Sequence, residues 1–334
     1  MKNILLPLIF LLVVSCNIDN RGPLRPAPTG APGDLLLVMN DNLWDSYSGD
    51  TIRSILAGPV EALPQVEPRF DVIRIDHSGF GKNFKQHRNI IVVKVGADQP
   101  KPKILVQKGL WARTQLLITL LAPNEESLIK LLNDDRDKLI SLLVNEELKR
   151  LMDSYYTIQD KEIVDKLKKE QNIKLNVPKG YEIKADEKDF IWLSQEYRDI
   201  VQGILIYTYP YTDVETFTRD YLVAKRNIFL KKYLPGEIEG SYMTTEPLFP
   251  PIFSEFTLGN GNYTAQLQGL WRIQDGLSMG GPFVNITQLD EKRNRIVTVE
   301  GFVYAPGNDK RDLLQQVEAI IYTLDFTDNQ KEQK

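Results

Sequence analysis

The chain has one cysteine and two histidines among 334 residues. A disulfide within the chain needs two thiols, so it is excluded. His77 and His87 lack the i, i+4 spacing and the further ligands of a metal-binding helix. The sequence also has no Gly-x-Ser-x-Gly elbow and no Walker-type phosphate loop. It therefore predicts no metal site, no cofactor and no catalytic residue, and we expect a protein that is not an enzyme.

Long charged and long apolar tracts are also absent. The 41 basic and 45 acidic residues give a formal net charge of −4, and no long run of Lys and Arg is present. Nucleic acid is therefore not an expected partner, because its phosphates require clustered positive charge. The apolar run from Ile4 to Val14 is interrupted only by Pro7 and is too short to cross a bilayer as a helix, which needs about 20 residues.

The first sixteen residues instead have the pattern of a secretion signal. A short basic start precedes the apolar run, and the run ends in Val13-Val14-Ser15-Cys16. This ending resembles the lipobox of bacterial lipoproteins, which implies cleavage after Ser15 and lipid attachment to Cys16. The alternative is an ordinary signal peptide with a chance cysteine. The lipoprotein interpretation predicts residues 1–15 as signal peptide and the membrane as a partner through lipid on Cys16.

Composition divides the remainder into a tether, a folded region and a tail. Residues 16–33 are rich in proline and glycine and poor in apolar residues, as is typical of an extended tether. An apolar burst at Asp34 begins the folded region, which we expect to run to Phe326 and to precede a polar tail at 327–334. Its length is sufficient for two domains.

An internal echo suggests that the two domains are related. "GLW" occurs at 109–111 and again at 269–271, and each copy is followed by an apolar strand ending in Ala-Pro and then by a helix start. The alternative is chance similarity of short patterns. We predict tandem related units at 34–175 and 176–326, each an α+β fold with a mostly antiparallel sheet and helices on one face, ferredoxin-like in topology.

Apolar periodicity predicts the elements of both units. The expected helices are 48–57, 125–170, 214–233 and 310–324. The expected strands are 35–39, 70–75, 89–95, 103–112, 115–121, 189–194, 203–209, 252–258, 262–273, 283–289 and 295–304. Asn124 and Asn308 are predicted helix caps, Thr212 with Glu215 a capping box, and Phe217, Tyr221, Ala224 and Ile228 a buried stripe.

Two stretches are candidates for ligand contact. "SMGGPF" at 278–283 places Gly280 and Gly281 near Trp271, where paired glycines would let a ligand approach the backbone. A tight turn entering a strand at Phe283 is the favoured alternative. Tyr207, Tyr209 and Tyr211 alternate at period two and could form an aromatic binding face, although packing in the core is the more frequent role of such a row. The cations Lys225, Arg226, Lys231 and Lys232 are expected on a solvated helix face.

Carboxylates supply a rival function. Glu237, Glu239, Glu246 and Glu255 lie near one another in sequence. A glycan or cell-wall hydrolase would need two of them facing each other across a cleft, at least one with a raised pKa.

The lipobox together with "GLW", "MGGPF" and "KKYLPGEIEGSYMTTEP" (231–247) resembles an uncharacterised family of Bacteroidota envelope lipoproteins, defined only as a domain of unknown function. The resemblance implies lipidation at Cys16 and an envelope location, and it supplies no catalytic residues. Asn17 follows the cysteine in place of an inner-membrane retention aspartate, and the acidic export tract is missing. We therefore expect an outer-membrane lipoprotein facing the periplasm.

The resulting hypothesis is a binding or assembly module for an envelope protein or glycan. The glycan hydrolase and a purely structural spacer remain as alternatives.

Overall fold

A computed structural model describes residues 25–327. The predicted signal peptide, Cys16, residues 17–24 of the tether and residues 328–334 of the polar tail lie outside the described residues. Within the described residues, the fold is α+β and consists of two tandem units that differ in their sheets. The predicted fold class and the tandem arrangement are thus confirmed.

The first unit contains five strands and four helices. Its strands are β1 (Asp34–Val38), β2 (Asp71–Ile75), β3 (Asn89–Val95), β4 (Lys103–Lys108) and β5 (Leu116–Ala122). Its helices are α1 (Asp41–Trp44), α2 (Tyr47–Leu56), α3 (Glu125–Asp134) and α4 (Arg136–Thr157). The strand order is β2-β1-β3-β5-β4.

Strand direction in this sheet differs from the prediction. The β1–β2, β1–β3 and β3–β5 pairs are parallel, and only β4–β5 is antiparallel. Parallel neighbours require a long connection that returns the chain to the same end. Helix α2 provides this return between β1 and β2, and the loop 76–88 provides it between β2 and β3. The expected hairpins are therefore not formed there.

Helices cover one face of the first sheet, as expected. Leu37, Ile91 and Ile118 pack against α2, α3 and α4 in one apolar core. The opposite face is covered by loops, through Phe80 and Trp111. Asn124 caps α3 by accepting a hydrogen bond from the Ser127 amide, as predicted.

The rest of the described chain contains ten strands and three helices. The strands are β6 (Ile173–Lys174), β7 (Glu182–Glu187), β8 (Phe190–Tyr197), β9 (Ile200–Pro210), β10 (Tyr242–Thr245), β11 (Ile252–Thr257), β12 (Tyr263–Gln274), β13 (Gly280–Asp290), β14 (Arg295–Tyr304) and β15 (Asp325–Phe326). The helices are α5 (Lys161–Lys166), α6 (Arg219–Tyr233) and α7 (Arg311–Ile321). A π-helical turn at Leu167–Gln171 follows α5.

The large sheet of the second unit is antiparallel throughout. Its order is β10-β12-β13-β14-β9-β8-β7, and β11 pairs with the same edge of β12 as β10 does. Helix α6 covers one face, while α5 and α7 cover the other. Helices therefore lie on both faces, which corrects the prediction of one, and neither strand order is ferredoxin-like.

The "GLW" echo does not mark equivalent positions. The first copy lies in the turn after β4, whereas the second lies inside β12. The two Ala-Pro dipeptides are equivalent, because each ends a strand that precedes a helix. Residues 161–175, which the prediction placed in the first unit, pack into the core of the second through Ile163, Leu167 and Leu175. This packing favours a boundary near residue 160.

Helix details also differ from the predictions. The segment 125–170 is broken at Asp135 and again at residues 158–160. Asp213 replaces the predicted Thr212–Glu215 box, because its side chain accepts the Glu215 amide. Helix α6 buries Leu222, Arg226 and Phe229 instead of the predicted stripe.

Candidate functional site

A cleft of about 700 Å³ lies where the two units meet. The loop 62–64 of the first unit forms one wall, and residues 246–252, between β10 and β11, form the other. Residues 268–272 of β12 and 278–281 at the start of β13 form its floor. The first unit thus contributes one wall of the cleft, and the second unit contributes the other wall and the floor.

Proline shapes the outer wall. Pro247, Pro250 and Pro251 cannot donate a backbone hydrogen bond, so the segment between β10 and β11 cannot continue the ladder with β12. The segment instead protrudes and presents Leu248, 80% exposed, and Phe249, 62% exposed. Two adjacent large apolar side chains held in water at the edge of a cleft are typical of a binding surface.

The charged pair in the cleft is Arg272 and Glu246. The Nε atom of Arg272 is buried and has no hydrogen-bond acceptor, and it lies 3.6 Å from a carboxylate oxygen of Glu246. That separation is too long for a hydrogen bond. Elsewhere the guanidinium is partnered, because its Nη2 atom donates to the side-chain oxygen of Gln274, and the Arg272 side chain as a whole is 35% exposed.

The structure brings Trp271, Gly280 and Gly281 together at this floor. The Trp271 indole is 3% exposed and donates its Nε1 hydrogen to the Val303 carbonyl oxygen over 3.1 Å. A Cβ atom on Gly281 would lie 2.0 Å from that oxygen. Gly281 thus leaves room for the indole hydrogen bond, and the Trp271 ring supports the floor from below.

The tyrosine row lies elsewhere. Tyr207 is buried beneath α6 and stacks on Phe229 with ring centroids 4.8 Å apart, and Tyr209 lies 6.0 Å from the same ring. Burial raises the pKa of both phenols. Tyr211 is half-buried against Phe217. These residues belong to the core of the second unit and do not line the cleft.

The predicted carboxylate cluster does not assemble. Of Glu237, Glu239, Glu246 and Glu255, only Glu246 lines the cleft. Within residues 25–327, the carboxylate whose pKa is raised is Glu318, to about 7, and the cause is burial without a neighbouring acid. Glu318 lines a separate cavity of about 180 Å³ between the units. The paired acids of a glycosidase are therefore not found in the described part of the chain.

Sequence analysis did not predict the most exposed residues of the site. Leu248, Phe249 and Arg272 were not predicted, although three prolines within 247–251 around a Leu-Phe pair mark a protruding apolar loop. No group of His, Cys, Asp and Glu in residues 25–327 could hold a metal ion. No helix in the same range has the length and hydropathy to span a membrane.

Family comparisons divide the chain at the same place as the packing. Residues 28–156 match the family described as "Domain of unknown function (DUF8532)", and residues 160–323 match "Domain of unknown function (DUF4837)". Each of these matches covers less than half of the chain. They agree with the resemblance to a domain of unknown function and assign no activity. No curated protein matches the sequence.

Three solved structures share weak similarity with the chain. LpqN, "involved in cell envelope biogenesis of Mycobacterium tuberculosis", is 16% identical over 47% of this chain and 83% of its own, with a TM-score of 0.29. A protein from Bacteroides thetaiotaomicron VPI-5482 is 12% identical over 48% and 47%, with a TM-score of 0.22. A STAR-related lipid transfer protein from Xanthomonas axonopodis is 8% identical over 43% and 96%, also with a TM-score of 0.22. These TM-scores are too low to support an argument about this chain.

Proposed function

We propose that this chain is a lipid-anchored envelope protein that binds an extended segment of another envelope protein in the cleft between its two units. The observation that carries the proposal is the exposure of Leu248 and Phe249 at the edge of a cleft that is also lined by Arg272 and Glu246. Cys16 would hold the protein in the outer membrane, facing the periplasm.

The lining favours a protein partner over a glycan. Sugars are held by many hydrogen bonds as well as by stacking, whereas the walls of this cleft are largely leucine, proline and phenylalanine. An apolar side chain of the partner would cover Leu248 and Phe249. A partner carbonyl or carboxylate would accept from the exposed part of the Arg272 guanidinium, which lines the cleft.

Photo-crosslinking in intact envelopes tests the cleft. A photoreactive residue at position 249 should give a discrete protein adduct, and one at Val214, which is 74% exposed in the loop before α6, should not. Substituting Arg272→Ala or Leu248→Ser should weaken the adduct severalfold without unfolding the protein. A glycan adduct at 249, or equal labelling at both positions, would contradict the proposal.

Intact mass tests the anchor separately. The mature chain should begin at residue 16 and carry acyl mass, and Cys16→Ser should release it from membranes, because two or more acyl chains are needed for stable anchoring. An unmodified mass would overturn the anchor and leave the cleft result standing.

A further inference from the structure

The described chain begins beside two loops of the first unit. The Thr29 amide donates to the Gln86 carbonyl over 2.9 Å, and the Arg113 amide donates to the Pro26 carbonyl over 2.8 Å. Residues 25–29 therefore lie between the loop that follows β2 and the loop that follows β4. We call this surface, residues 25–29, 77–88 and 109–114, the exit face.

The exit face is strongly basic in an acidic protein. Residues 25–29, 77–88 and 109–114 contain Arg25, Lys82, Lys85, Arg88 and Arg113 and no Asp or Glu, although the whole chain has a net charge of −4. Arg88 is neutralised by Glu147 over 2.5 Å. Lys82 and Arg113 are exposed and make no ion pair within residues 25–327. Asp76 and Asp34 border the face in sequence, and the Asp34 carboxylate accepts the Ala31 amide over 2.7 Å.

Exposed apolar side chains lie between these cations on the exit face. Phe84 is 40% exposed and Leu110 is 37% exposed. The Lys85 ammonium lies 5.5 Å from the centre of the Trp111 ring. The Trp111 and Phe80 rings pack edge to face, with their centroids 5.8 Å apart. Cations interleaved with exposed apolar groups suit the boundary between lipid headgroups and acyl chains.

The position of the anchor limits what this face can meet. Nine residue steps separate Cys16 from Arg25, and at about 3.5 Å per residue the face stays within about 30 Å of the acylated sulfur. We propose that the exit face docks on the anionic headgroups of the leaflet that holds the anchor. This inference rests on the proposed lipidation of Cys16. Docking would fix the orientation of the cleft between the two units relative to the membrane.

Hydrogen exchange on the mature lipidated chain tests the docking. The chain is reconstituted in vesicles of phosphatidylcholine alone or with one third phosphatidylglycerol. Amides of 79–86 and 109–114 should exchange about threefold or more slowly in the anionic vesicles, and high salt should remove the difference because it screens the headgroup charge. Equal exchange in the two vesicle types would overturn the docking.

Matched charge reversals provide the control. Lys82→Glu with Arg113→Glu should abolish the slowing, whereas Lys168→Glu with Lys169→Glu, at exposed positions of the π-helical turn, should retain it. Circular dichroism checks that both variants fold. Loss of the slowing in both variants would point to net charge alone and would also overturn the proposal.

An unanchored form separates the two proposals. The full Cys16→Ser chain should co-sediment weakly with anionic vesicles at low salt and not with neutral ones. If the mature protein lacks acyl mass but this binding occurs and depends on Lys82 and Arg113, the lipidation of Cys16 is contradicted and the lipid binding of the exit face is supported. If the chain is acylated and neither hydrogen exchange nor co-sedimentation responds to anionic lipid, the docking proposal is contradicted and the anchor proposal stands.

Discussion

The Glu67 carboxylate accepts the backbone N–H of Lys310 through both oxygens, at 2.8 and 3.0 Å. It also accepts the Arg311 N–H over 2.8 Å. Helix α7 begins there with no side-chain cap of its own, and Glu67 is 4% exposed. One unit thus supplies both the cap and the negative charge that the first turn of a helix in the other unit needs. This contact is one of several that join the two units, together with the Arg311–Asp71 ion pair.

Substituting Glu67→Ala should lower the free energy of unfolding by about 2 kcal/mol, since it removes a buried charged cap and leaves two amides without acceptors. Glu67→Gln should cost less, because the amide oxygen still accepts. Urea denaturation measures both.

Gln65 is the matched control for Glu67. It donates to Asn308 and Asp309 through exposed hydrogen bonds and accepts from the Lys310 ammonium over a long 3.3 Å, so it caps no backbone amide of α7. Gln65→Ala should change the free energy of unfolding by no more than about 0.5 kcal/mol. A loss equal to that of Glu67→Ala would show that the loop contact matters more than the cap.

Arg226 and Glu300 form a fully buried ion pair beneath α6. The two guanidinium–carboxylate hydrogen bonds measure 2.8 and 2.6 Å, and neither side chain is exposed. Arg226→Met should destabilise the protein by about 3–5 kcal/mol, because it leaves an uncompensated buried carboxylate. Thermal unfolding measures the loss.

A double substitution isolates the pair. Arg226→Met with Glu300→Met removes both charges and should recover much of the stability lost in the single variant. Arg219→Met, at an exposed position on the same helix, should be nearly neutral. A double variant as unstable as the single one would indicate that packing against Phe283, and not charge, determines the loss.

Glu318 should make stability depend on pH. Burial raises the pKa of its carboxyl to about 7. The folded state therefore holds this proton more tightly than the unfolded chain, whose glutamate titrates near 4.5. The stabilisation that protonated Glu318 gives to the folded state is complete below pH 4.5 and is lost as the pH rises through 7.

Glu318→Gln keeps the neutral form at every pH. Relative to the natural protein, this variant should gain stability between pH 4.5 and 7, by up to about 3 kcal/mol at pH 8. Paired chemical denaturation across that range measures the difference. A stability difference independent of pH would contradict the burial of this carboxyl.

Gly281→Ala should destabilise the protein by about 3 kcal/mol, because the added methyl group would collide with the Val303 carbonyl and displace the Trp271 hydrogen bond. Gly259→Ala is the matched control, since a Cβ atom there meets nothing within 4 Å. Tryptophan fluorescence during unfolding reports on both variants. An unchanged Gly281→Ala protein would favour a ligand-contacting role for that glycine.

Apolar patterning predicted the elements better than their arrangement. The strand predicted at 295–304 has those bounds in the structure, because its buried residues form a continuous run. Strand direction in the first unit could not be read from the same pattern, since parallel and antiparallel neighbours bury similar residues. Direction is determined by the connections, and the 76–88 loop carries no periodic signal of a crossover.

Long-range partners explain the other errors. The α6 stripe was misassigned because Arg226 counted as polar, and its partner Glu300 lies 74 residues away in sequence. The cleft escaped prediction because its walls come from loops of different units. Trp271, Gly280 and Gly281, which the sequence suggested for ligand contact, line this cleft, and that role stays a prediction because their contacts in the structure support its floor.

The pairing of β9 with β14 has a consequence for biosynthesis. These central strands pair along their length although they are separated in sequence by more than 80 residues. A nascent chain that stops before residue 295 has the β7–β9 ribbon and the β10–β13 ribbon, each with an open edge. The second unit can therefore complete its large sheet only after residues 295–304 have been synthesised.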